Sequence, residues 1–192
     1  MKPRSLRLRR ERLVEVARAM ARKGLVTGSS GNVSLRLDSG MLITPSGIPY
    51  EHFRPGQVIW MDLEGRVLGG SGQSSSEWRM HAAIYRQRED VRAVVHTHSL
   101  FATAASFGSA LRVVHAEGKT LFEEEIPVST PAPPGTWELA QAVVEALGRG
   151  RAALLAHHGA VAVGSTLREA FLWAEKLEET ARLAWELRRQ HG

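Results

Sequence analysis

Three histidines and one glutamate carry the most definite chemistry in this sequence. His96-Thr97-His98 closes the apolar run Val91–Val95. Strand side chains alternate between faces, so residues two apart point the same way, and two imidazoles then stand side by side at a strand end. Neutral imidazole suits zinc, with Zn–N bonds of roughly 2.0–2.1 Å. A third ligand is offered by His157-His158-Gly159, which ends a second apolar run. The spacing does not choose between His157 and His158, and the glycine permits close backbone approach to whatever is bound. Three histidines leave a fourth position for water or substrate, as in a catalytic zinc rather than a structural one. The competing reading is a pair of hydrogen-bonded histidines at a strand end.

Glu77 lies in Ser74-Ser75-Ser76-Glu77-Trp78-Arg79-Met80-His81. Ser74 and Glu77 match a capping box, a purely structural device. The same serines at a helix start offer hydroxyls and free N–H groups to a phosphate, and a carboxylate beside that anion could abstract a proton from carbon. The residue types admit both readings. Gly28-Ser29-Ser30-Gly31-Asn32 and Thr44-Pro45-Ser46-Gly47-Ile48-Pro49 are small, polar loops able to turn donors toward an anion, though as isolated strings they read as ordinary loops. His81, one turn beyond Glu77, is placed to orient it. His52 and His191 have no visible partner and read as surface residues. Gly118-Lys119-Thr120 resembles the end of a P-loop, but the earlier glycine that motif requires falls on Val113.

The elements that must position these groups follow from periodicity. A helix is predicted over 6–22, with Leu13, Val16, Ala17 and Met20 on one face and Gly24 at its end. Hairpins are predicted from Val33–Leu37 to Met41–Ile43 and from Val58–Met61 to Val67–Leu68. The rest reads as a helix over 76–87, a strand over 91–97, a short helix over 100–107, a strand over 111–114, a helix over 137–147, strands over 152–156 and 160–163, and a final helix ending near Arg189. That last helix opens on a Thr166/Glu169 capping box, and its apolar stripe is Ala170, Ala174, Leu177, Ala181 and Ala184 or Trp185. No linker splits the 192 residues, so a single domain over 1–192 is expected. Hairpins with helices around them imply a mixed, largely antiparallel sheet covered by helices.

Composition narrows the function classes. No stretch approaches the roughly 20 apolar residues of a membrane span, and the arginine-rich start lacks the apolar core of a secretory signal. With no cysteine, a metal must be held by His, Asp or Glu; a cytoplasmic setting is expected. The net charge of +5 admits nucleic acid or an anionic ligand. The arginines cluster near both termini among glutamates and apolar positions, which fits solvated helix faces, so no nucleic-acid partner is expected.

In order and spacing, Gly28-Ser29-Ser30-Gly31-Asn32-Val33-Ser34, Ile43-Thr44-Pro45-Ser46-Gly47-Ile48-Pro49-Tyr50, Ser75-Ser76-Glu77-Trp78-Arg79, Val94-Val95-His96-Thr97-His98 and His157-His158-Gly159 resemble the class II aldolase/adducin family over residues 13–187. The resemblance implies a three-layer α/β/α sandwich around a central, mainly antiparallel sheet, and a homotetramer with active sites at subunit interfaces. It implies one Zn2+ per subunit held by His96, His98 and His158, with Glu77 as acid/base and further ligand. Ser29, Asn32, Ser46, Gly47, Ser75 and Ser76 fall on the family's phosphate site. The implied reaction is reversible cleavage of a ketose 1-phosphate, such as L-fuculose 1-phosphate, to dihydroxyacetone phosphate and L-lactaldehyde. Two departures stand out: His115 is followed by Ala116 where the pattern has a tyrosine from a neighbouring subunit, and the sequence ends at Gly192, before a longer tail carrying another tyrosine. Competing expectations are a methylthioribulose-1-phosphate dehydratase, a pentulose-phosphate epimerase (disfavoured because those carry aspartate in place of Glu77) and a non-catalytic adducin-like interaction module. That module is disfavoured because it should have lost metal ligands.

Overall fold

The computed structural model describes residues 3–191, with side chains for 4–190; His191, expected at the surface, has its side chain outside the described residues. Nine strands and six α-helices follow in chain order: α1 Pro3–Arg22, β1 Asn32–Leu37, β2 Gly40–Ile43, β3 Ile59–Met61, β4 Val67–Gly69, α2 Trp78–Gln87, β5 Ala93–Thr97, α3 Leu100–Ala105, β6 Ala110–Arg112, α4 Ala116–Phe122, β7 Glu125–Pro127, α5 Trp137–Leu147, β8 Ala152–Leu155, β9 Gly159–Gly164 and α6 Leu167–His191. Seven strands form one sheet in the order β4-β3-β2-β1-β5-β9-β8, and every pairing is antiparallel. The expected architecture is present. β6 and β7 form a separate two-stranded sheet.

Alternation along the central strands splits the core in two. Met41, Ile43, Val94, Ala153, Leu155, Val161 and Val163 face α2 and α5, whereas Leu42, Ala93, Val95, Leu154, Ala160 and Ala162 face α1, α3 and α6. Neighbours in sequence pack into opposite layers, as period two requires. Both faces are therefore covered by helices. The α6 stripe is buried at Ala170, Ala174, Leu177, Ala181 and Ala184, while Trp185 is exposed.

Several boundaries differ from expectation. α2 begins at Trp78 rather than Ser76, because the chain arrives along an isolated bridge between Pro45 and Ser74 and turns over Ser76 and Glu77. The strand expected over 111–114 is β6, Ala110–Arg112, and pairs with β7 outside the main sheet. Helix α4 and strand β7 were not expected; seven and three residues long, they are too short for a periodic signal to emerge. At the start of α6 the Glu169 N–H bonds Thr166 Oγ1 as a cap should, but the Glu169 carboxylate accepts from Ser165 N–H rather than from Thr166. Gly159 lies where an added Cβ would meet the Thr97 carbonyl oxygen at 2.2 Å. Its missing side chain thus lets β9 approach β5 and the His98 ring, which an added Cβ would meet at 3.3 Å.

Candidate metal centre and active site

Strand parity decides which side chains meet. His96 shares the face of Val94, directed at α2, and its register partner on β1 is Asn32. Glu77 stands at the N-terminus of α2 on that same side. His98 follows the end of β5, and His158 lies in the turn between β8 and β9, the two strands hydrogen-bonded beyond β5. Glu77, His96, His98 and His158 therefore converge, with one ligand atom from each lying within 4.8 Å of all the others. The three ring-centroid separations are 4.8, 5.0 and 4.8 Å. His157 is not in the group: it is exposed, takes a left-handed φ of 58° and sets its ring against Phe107.

The donor set fits a divalent ion. His96 Nδ1 faces the Ala160 carbonyl at 2.9 Å; a carbonyl only accepts, so the proton sits on Nδ1 and the Nε2 lone pair points into the site. That Nε2 is 2.9 Å from His98 Nε2 and 2.9 Å from Glu77 Oε2. His158 Nε2 lies 3.5 Å from Glu77 Oε1, a buried oxygen with no hydrogen-bond partner. Ligand atoms around a tetrahedral ion with bonds of roughly 2.0–2.1 Å sit about 3.3–3.4 Å apart, close to these spacings. The residues fit a metal, and three imidazoles with a carboxylate suit a divalent first-row ion.

The electrostatics ask for one positive charge at the centre. Burial pushes the Glu77 pKa up, but the His96 charge and hydrogen bond, His158 and Asn32 outweigh it and hold the carboxyl far below its usual range. Burial disfavours charge on His96, yet Glu77 carries its pKa upward. Burial and the neighbouring imidazoles depress His98 to about 4 and lower His158 as well.

The capping-box reading of Glu77 does not hold. Its side chain makes no cap bond to its helix; instead Glu77 Oε2 accepts from Asn32 Nδ2 at 3.0 Å, and Ser75 Oγ accepts from the Glu77 N–H. The small-residue loops gather nearby. Tyr50 donates to the Gly31 carbonyl and its N–H to Gly28, Ser75 N–H bonds the Thr44 carbonyl, and Ser46 N–H bonds the Gln73 carbonyl. Ser29, Ser46, Gly47 and Ser76 are exposed, whereas Asn32 and Ser75 are buried. Asn32 is already committed to Glu77 and to His81, so His81 acts on Glu77 through Asn32 rather than by contact. His52 is exposed as expected.

One positioning residue was not anticipated. The Glu178 carboxylate, on α6, accepts from Phe101 N–H at 2.9 Å and Ala102 N–H at 2.8 Å. It thereby satisfies the free donors at the start of α3, two residues beyond His98. A glutamate at an otherwise helical position gives no sequence signal for this. Glu178→Gln keeps the shape but removes the charge that strengthens both bonds. A loss of about 1 kcal/mol, or roughly 2–4 °C in Tm for a chain this long, is expected in thermal melts. Metal affinity, read by competition with a chromophoric chelator, should fall about 10-fold.

The sequence profile of the Class II Aldolase and Adducin N-terminal domain matches residues 11–185. The 5-methylthioribulose-1-phosphate/5-deoxyribulose-1-phosphate aldolase of Rhodospirillum rubrum is 39% identical over 177 residues, 92% of this chain and 80% of that protein. The L-fuculose phosphate aldolase of Escherichia coli K12 is 38% identical over 172 residues, 89% of this chain and 80% of that protein. Among solved structures, L-fuculose-1-phosphate aldolase from Thermus thermophilus superposes with a TM-score of 0.86 at 35% identity, covering 97% of this chain and 96% of that one.

Proposed function

This chain belongs to the class II aldolase and adducin family, and on that premise we propose that it is a zinc-dependent lyase that reversibly cleaves a ketose 1-phosphate to dihydroxyacetone phosphate and an aldehyde. The observation that carries this reading is the convergence of Glu77, His96, His98 and His158, the ligands an adducin-like interaction module would have no use for. Members of the family are metal-dependent enzymes acting on sugar phosphates, and among the described residues no helix is long and apolar enough to cross a membrane.

The three histidines and, in the resting site, Glu77 would hold the metal. When bound, it supplies electrostatic stabilisation of the negative charge that develops as the carbon–carbon bond breaks. Glu77 moves the proton at the carbon that becomes nucleophilic in the reverse direction. Ser29, Asn32, Ser46, Gly47, Ser75 and Ser76 form the phosphate cradle, with the exposed loop residues giving N–H and hydroxyl donors. Asn32 gives one of its two amide protons to Glu77 and so also holds the base. The assembly is a cytoplasmic homotetramer with its sites at subunit interfaces.

The aldehyde half distinguishes three candidate substrates. The chain has two tyrosines, and both are buried and committed: Tyr50 donates to the Gly31 carbonyl and Tyr85 pairs with Ser34. With Ala116 following His115, no tyrosine of this chain is free to protonate the oxygen of a hydroxyaldehyde. The candidates are L-fuculose 1-phosphate and, from the name of the Rhodospirillum rubrum relative, 5-deoxyribulose 1-phosphate and its methylthio analogue. Cleavage between C3 and C4 leaves acetaldehyde from 5-deoxyribulose 1-phosphate and lactaldehyde from fuculose 1-phosphate. Incubation of the metal-loaded protein with each ketose phosphate, with a coupled assay for released triose phosphate, should give kcat/KM at least 10-fold higher for one of them. No triose phosphate from any of the three would reject the aldolase reading and leave the dehydratase.

A further inference from the structure

Behind Glu77 and Asn32 lie three buried polar side chains, His81, Ser34 and Tyr85, that the proposed chemistry does not itself use. Asn32 Nδ2 donates to Glu77 Oε2 at 3.0 Å, Asn32 Oδ1 meets His81 Nε2, His81 Nδ1 meets Ser34 Oγ at 2.7 Å, and Ser34 Oγ meets Tyr85 Oη at 2.7 Å. Each of these side chains is at most 6% exposed. Two periodicities line these groups up: Glu77, His81 and Tyr85 are spaced by four around α2, and Asn32 and Ser34 are spaced by two on the facing side of β1.

Donor and acceptor capacities fix the direction of every bond. An ionised carboxylate only accepts, so the Asn32 amide nitrogen must face Glu77 and its oxygen must face His81. His81 is then the donor at Nε2, which leaves Nδ1 as an acceptor for the Ser34 hydroxyl. Ser34 has given its one proton to His81, so Tyr85 must be the donor to Ser34. All the protons point one way, toward the carboxylate, and bonds so aligned polarise and strengthen one another in a low-dielectric interior. Reversing one link reverses every link nearer Glu77 and ends with an amide oxygen facing a carboxylate oxygen.

We propose that Tyr85, Ser34 and His81 are positioning residues which, through Asn32, lock one oxygen of Glu77 and leave the other, Oε1, as the oxygen that exchanges a proton with substrate. Oε2 is engaged by Asn32 and lies 2.9 Å from His96 Nε2, while Oε1 is buried with no hydrogen-bond partner. This assignment rests on Glu77 being the base, and it adds a requirement that the metal site alone does not make.

His81→Gln and His81→Leu separate a directional role from a packing one. A glutamine amide can donate to Asn32 and accept from Ser34, as neutral His81 does; leucine can do neither. On metal-loaded enzyme, His81→Leu should lower kcat for cleavage by about 10–100-fold, with KM and metal content per chain within twofold of the parent. It should lower deuterium exchange from solvent into dihydroxyacetone phosphate equally, a step that needs no aldehyde. His81→Gln should recover most of both rates. A folded, metal-loaded His81→Leu protein with the parent kcat overturns the proposal, as does a His81→Gln protein no faster than the leucine variant. Nitrogen-15 NMR of the metal-loaded parent reads the His81 tautomer without any substrate: Nε2–H is required, and Nδ1–H overturns the relay even if the protein proves not to be an aldolase. Absence of both cleavage and exchange in the parent, with His81 as the Nε2–H tautomer, would reject the aldolase reading while the relay stands.

Discussion

Glu77→Gln should lower turnover by roughly 10²–10⁴-fold, the range that a positioned general base contributes, while metal content and KM stay within a few-fold of the parent. The substitution is nearly isosteric, and its amide oxygen can still accept from Asn32 Nδ2. What it removes is the ability to hold a proton. The resting environment bears on how this loss arises. Despite burial, His96, His158 and Asn32 keep the Glu77 carboxyl ionised far below its ordinary range, and a carboxylate so stabilised is a weak base. Glu77 thus has two proposed roles to separate, metal ligand at rest and base in turnover. Triose phosphate release by the variant, beside elemental analysis of the same preparation, separates them. Full activity with full metal content would assign proton transfer to another group; loss of metal along with activity would make Glu77 chiefly a ligand.

How much of this was legible in the sequence follows from which features depend on period. The seven-stranded sheet rests on runs such as Val33–Leu37 and Val91–Val95, whose alternation or continuous burial marks strands, and the long helices on repeats such as Ala170, Ala174, Leu177 and Ala181. His96 and His98 were legible as a pair because a strand places residues two apart on one face. Glu77 was legible only as a choice between cap and base. Capping boxes are read from spacing, whereas the three-dimensional fact is that the chain turns over Ser76 and Glu77 and presents the carboxylate to β1 and β5. Glu178 was not legible, since its partners lie 76 and 77 residues away and its own helix gives it no distinguishing context. The relay lies between these cases. His81 one turn beyond Glu77 was legible as a group that could orient it, whereas Ser34 and Tyr85 carried no signal of their own. The apposition of these groups was not legible, because the register of β1 against β5 that brings Asn32 opposite His96 is set by long-range pairing.

The adjacent histidines at 157 and 158 offer the sharpest test of the metal centre, because two identical side chains one residue apart should behave as unrelated groups. His158→Ala removes one of three imidazole ligands. The remaining two and Glu77 would then face an open side of the site, so metal affinity and activity should fall together, by more than the roughly 10–100-fold that loss of an outer partner of a ligand costs. Titration with Zn2+ and steady-state cleavage on the same sample would read both. His157→Ala removes only a ring set edge-on against Phe107 at 4.7 Å from a residue in a left-handed conformation. Alanine carries a similar backbone penalty there, so stability, metal content and rate should stay close to the parent. The backbone accounts for the difference: the left-handed φ at His157 turns the chain between β8 and β9 and sends successive side chains to opposite sides. Only the second of them enters the site. Equal loss of metal in both variants would mean that the turn, rather than the His158 ring, holds the site together. Loss only in His157→Ala would transfer the ligand role to the neighbouring residue and undo the convergence from which the chemistry is derived.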